Sequence, residues 1–158
     1  MKTVSLAFAL LFALGPLSAS AKDAPIGLSL KQLAHGSLET IPMPPAHPVN
    51  GHPRLSGIAA DKMTLFEVIG DPYNVRQATL LIMISDNPTQ VGKGCRALAQ
   101  FMQNASPGWG GAASWLTRAT RQALSRPDHD VKGLHNSREY SLYYSKELSN
   151  LILTVKHQ

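Results

Sequence analysis

The chain of 158 residues holds one cysteine, Cys95, so no disulfide can form within it and packing alone must hold the fold. It lacks any long apolar run beyond its first 14 residues, and a membrane-spanning helix needs about 20 such residues in a row. Its 10 acidic residues are thinly spread and supply no carboxylate pair suited to acid–base work. No serine stands in a G-x-S-x-G elbow, and Cys95 has no histidine near it in sequence. The 15 lysines and arginines give a formal charge of +5, but they are scattered and no aromatic–basic motif accompanies them. That pattern predicts a solvated, mildly basic surface and argues against a nucleic-acid partner.

What is present begins with an export signal. Lys2 precedes a short apolar run ending at Leu14, Gly15-Pro16 breaks it, and Ala19-Ser20-Ala21 offers a small-x-small cleavage site. Residues 1–21 therefore read as a removed signal, which places the mature chain in the periplasm or outside the cell, with no transmembrane segment. Residues 22–54 read as an extended or disordered arm, because five prolines fall between Ile41 and Pro53. Residues 55–158 read as one α+β domain, and 44% hydrophobic content suffices for its core.

Within that domain, KMTLFEVIG and ATLLIMIS predict a hairpin, with Gly70-Asp71-Pro72 between them. Asn87-Pro88 opens a helix whose expected core stripe is Val91, Cys95, Leu98 and Met102, with Cys95 a small buried apolar residue. A second helix runs to about Leu124 and buries Ala112, Trp115, Leu116, Ala119 and Ala123. REYSLYYS and LILTVKH predict a closing hairpin around KELSN. The expected fold is thus an antiparallel sheet of about four strands, in ββααββ order, with both helices packed on one face.

The stretch SPGWGGAASW joins the helices and carries both tryptophans. Its glycines suit a tight corner and its tryptophans can pin that corner to the sheet. An anion-binding nest would use the same glycines, but no lysine stands where a phosphate loop needs one.

Histidines raise a metal reading. His35, His47 and His52 sit on or near the proline-rich arm, without zinc-like spacing. Asp128, His129, Asp130 and His135 in PDHDVKGLH form a mixed oxygen–nitrogen set, and a small hydrolase or metal-dependent enzyme would use Asp128, His129 and His135. Two acids around a histidine between a helix and a strand more often form a solvated loop with capping and turn bonds, so no cofactor is expected and the balance falls against an enzyme.

One feature departs from a simple two-layer fold. Counting by twos assigns Phe66, Leu81, Met83, Tyr143 and Ile152 to the sheet face away from the helices, where polar residues belong. This apolar second face predicts a binding or accessory role, either against another envelope or secreted protein or by self-association. An inhibitor or immunity-type protein of another envelope enzyme is the more specific form of that expectation.

Overall fold

Alternation of apolar and polar residues forces one side of each strand inward, and the sheet follows from it. The structure, a computed structural model, describes residues 24–158; the expected export signal at residues 1–21 lies outside the described residues. Four strands precede the long helices: β1 (Pro45–Val49), β2 (His52–Ile58), β3 (Thr64–Asp71) and β4 (Asn74–Met83). A short helix α1 (Leu30–Leu33) and a 3-10 turn (Gly36–Thr40) precede them. Two long helices follow, α2 (Pro88–Ala105) and α3 (Ala112–Ser125), and then β5 (Asp130–His135), β6 (Arg138–Ser145) and β7 (Asn150–His157).

Among the described residues the fold is α+β, with a sheet of seven antiparallel strands, in the order β1-β2-β3-β4-β7-β6-β5, and three α-helices. This corrects the expected four-stranded ββααββ arrangement. Two of the additional strands come from the proline-rich stretch. β1 is an edge strand, so Pro45 and Pro48 forfeit no ladder bond on their open side. Pro53 precedes the first β2 residue that pairs with β3, Arg54 opposite Ile69. The third additional strand, β5, reads in sequence as a polar loop because its exposure alternates with charged residues outward.

The segment before β1 is fastened to the domain. Ile26, Leu28, Leu33, Leu38 and Ile41 are buried in the main core. Ile26 and Leu28 bond through their backbones to Val75, at 2.8 and 2.9 Å. Ser29 caps α1, and its reciprocal bond with Gln32 completes a capping box. Asn104 Nδ2 of α2 donates to the carbonyls of Leu33 and His35 at 2.9 and 2.8 Å, closing the turn after α1.

Helix α2 starts where its sequence indicates: the Asn87 side chain accepts from the amides of Thr89 and Gln90, and Pro88 occupies the first turn. Its buried stripe is Gly94, Leu98, Phe101, Met102 and Ala105; Leu98 and Met102 are buried as expected, Val91 is half-buried, and Cys95 is exposed, with Gly94 facing inward in its place. Gly94 faces Ile82 of β4, where a Cβ would stand in ordinary contact at 3.4 Å. Phe101 meets Phe66 edge-on at 5.7 Å.

The helix corner is an aromatic wedge. Among its three glycines only Gly108 takes a positive φ, at +77°. Trp109 lies 5.7 Å from Trp115, 5.0 Å from Tyr140 and 5.2 Å from His135, whose ring is stacked within 10° of parallel. Trp115 lies over Gly133, where a Cβ would approach its indole nitrogen to 2.5 Å. Glycine at 133 therefore admits the indole, and the corner is tied to β5 and β6.

Candidate interaction face

Pairing register assigns every strand residue to one of two faces. Phe66 stands opposite Leu80, and Leu80 opposite Leu153, so these share the side buried beneath the helices. Thr64, Val68, Ala78, Ile82, Tyr140, Leu142, Leu151 and Val155 join them there. Phe66 is fully buried on that helix side, which corrects its expected place on the second face. Counting by twos from Leu65 rather than from Phe66 gives the observed parity.

The second face carries no helix among the described residues, and it is built in rows. One row runs Leu65, Leu81, Ile152, Tyr143 across β3, β4, β7 and β6, each residue directly opposite the next. With strands about 4.8 Å apart, its three spacings cover roughly 15 Å. Leu65 was missed by sequence reasoning, although its place one residue before Phe66 in KMTLFEVIG carries the signal. Leu81, at 3% exposure, is shielded between Leu65 and Ile152, whereas those two and Tyr143 are half-buried. Met83 extends the patch along β4, opposite Asn150. The buried Asn150 Oδ1 has no hydrogen-bond partner among the described residues.

Farther along the strands the same face turns polar. Thr79 and Thr154 face each other with hydroxyls 3.3 Å apart. Arg54 Nε and Nη2 both donate to Glu67 Oε2, at 2.8 and 2.5 Å. Glu139 lies between Lys132 and Lys156, at 3.3 and 3.4 Å. The apolar surface is thus mainly a row at one end, beside the turns at 59–63, 84–87 and 146–149, and the remainder is largely a paired polar surface that also carries Ile69 and Leu134. Tyr143 marks the boundary: its hydroxyl donates to Asp128 Oδ1 at 3.1 Å. Burial, then that bond and the charges of Asp128, Asp130 and Glu147, raises its pKa and keeps the phenol neutral.

The four residues weighed as metal ligands are not brought together. Asp128 takes a left-handed turn conformation and accepts from Tyr143 and from the Lys146 amide. Asp130 accepts from the Ser141 hydroxyl at 2.7 Å, and His129 Nδ1 lies 2.9 Å from the Pro127 carbonyl. His135 is on the helix side, stacked on Trp109, while Asp130 projects from the opposite face of the same strand. Among the described residues no three of His, Cys, Asp or Glu are grouped to hold an ion.

A second concavity of about 680 Å³ lies between the 3-10 turn, the β2–β3 connection and α2. Leu38, Ile41 and Ala97 contribute to its apolar lining, and Lys93, Arg96 and Asp61 its charge. Sequence reading missed it because one wall comes from the segment read as an arm. No helix among the described residues is long and apolar enough to cross a membrane. Comparison with family models, curated proteins and solved structures finds no match to this chain.

Proposed function

We propose that this chain is an exported binding or accessory protein that engages another envelope or secreted protein through the second face of its sheet. The observation that carries the reading is the row Leu65–Leu81–Ile152–Tyr143, large apolar side chains placed side by side on a face that no helix among the described residues covers. Each such side chain left partly in water forgoes some of the roughly 1.5–3 kcal/mol that full burial brings. A partner laid across the row recovers that energy, and the flanking ion pairs supply a polar rim that sets orientation. Blocking an envelope enzyme is the specific activity that such a surface suits.

The test is capture from envelope extract with wild-type protein and with Leu65→Lys and Ile152→Lys as parallel baits. A partner retained by the wild type and lost by both folded variants supports the reading. Equal retention by all three places recognition elsewhere and sinks it.

A further inference from the structure

The two edges of the sheet are finished differently. β1 carries Pro45 and Pro48, and its register is broken between Ala46 and Val49, two devices that block a further strand from adding. β5 has neither: Asp130–His135 pairs with β6 without a register break and contains no proline. Its bare-face residues are Asp130, Lys132 and Leu134, and Leu134 is 56% exposed. Such an edge presents unpaired backbone donors and acceptors to any complementary strand.

We propose that β5 pairs with β5 of a second copy, antiparallel, about a two-fold axis through Val131. Directly opposed residues of an antiparallel pair lie on the same face, so the axis must pass through a residue rather than between two. Centring on Asp130 opposes two aspartates, and centring on Lys132 opposes two lysines. Centring on Gly133 or Leu134 leaves Lys132 opposite Leu134 or Asn136, with no charge matched. Centring on Val131 sets Asp130 opposite the other copy's Lys132, and does so twice. It also places Val131 against Val131 on the helix side, and opposite-charge pairs at this spacing favour the register.

Within one chain both charged groups lean toward β6: Asp130 accepts from Ser141, and Lys132 reaches Glu139 at 3.3 Å. The Lys132 side chain is 56% exposed and Asp130 is exposed, so both are accessible to a strand added beside β5. The two-fold axis is normal to the sheet, so both copies present their uncovered faces on the same side. The pairing stands independently of what binds that face.

The experiment is sedimentation equilibrium of the mature protein, with Asp130→Lys and Lys132→Asp measured singly and mixed. Wild type self-associates. Each single variant replaces two attractive pairs by two repulsive ones and self-associates about tenfold more weakly. Mixing the variants restores opposite charges across the axis and gives a heterodimer near wild-type strength. That result also shows that both variants are folded. A wild type that stays monomeric up to its solubility limit overturns the proposal, as do single variants that associate like wild type or a mixture that does not recover. On unmodified protein, the amides of β5 should gain hydrogen-exchange protection as concentration rises, and unchanged protection counts against the pairing.

Discussion

The two faces of this sheet are made by the same strands, and β4 shows how differently they are built. Its even positions, Ala78, Leu80 and Ile82, are fully buried beneath the helices. Its odd positions read Gln77, Thr79, Leu81, Met83, passing from polar to apolar along the strand. The helix side is apolar over most of its extent, with exceptions such as Thr64 and His135, because most positions there lose water on folding. The other side is apolar chiefly where a row of neighbours can shield one another. Leu81 shows that a side chain can be almost fully covered on a helix-free face when cross-strand partners flank it. Burial of a residue therefore does not identify the face it belongs to; pairing register does.

The strongest way to break this comparison is a charge at Ile82, which is fully buried. Ile82→Lys leaves an unpaired ammonium in the core, should cost at least about 3–5 kcal/mol, and should abolish the cooperative melting transition. Trp115→Ala removes the indole that covers Gly133 and should cost roughly 3–5 kcal/mol in chemical denaturation. A much smaller loss would mean that the corner contributes little to holding the helices on the sheet.

Tyr140 sharpens the comparison through pH. Its hydroxyl donates to the Ala105 carbonyl at 2.9 Å, and burial raises its pKa above the ordinary 10.0. The folded state thus holds this proton more tightly than the unfolded chain. The associated stability is complete below the unfolded pKa and is lost as pH rises through the folded one. Tyr140→Phe should cost about 1 kcal/mol at neutral pH and should reduce the alkaline loss seen in denaturation above pH 10. Ile152→Lys, on the uncovered face, should have the smallest effect, below about 1 kcal/mol of stability, because its ammonium reaches water. If Ile152→Lys destabilises the chain as much as Ile82→Lys, the two faces do not differ in the way described.

Sequence periodicity made β3, β4, β6 and β7 and both long helices legible, because each alternates or repeats with a clear apolar side. It failed where a strand owes its place to its neighbours. Prolines in β1 read as coil until its edge position is known. Asp130, Lys132 and His135 make β5 read as a loop until Trp115 is seen over Gly133. The α2 stripe holds at Leu98 and Met102 but fails at Cys95, because Gly94, with no apolar surface to signal, faces the sheet in its place. At the candidate face, Leu81, Met83, Tyr143 and Ile152 were assigned by alternation and Phe66 was misassigned, an error of one position that reverses a side chain.

The place of β7 between β4 and β6 governs how the sheet can be completed. Four strands form a meander early in the chain, and β5 and β6 form a hairpin later, but only the last strand joins them. Thr79 and Thr154, which meet across that seam, are separated by 75 residues. Until β7 docks, the inner edges of β4 and β6 both stand open, each lined with apolar side chains. A chain emerging from its amino terminus therefore leaves this sheet unfinished until Asn150–His157 is available. Interruption before Asn150 leaves two adhesive edges rather than a smaller stable domain.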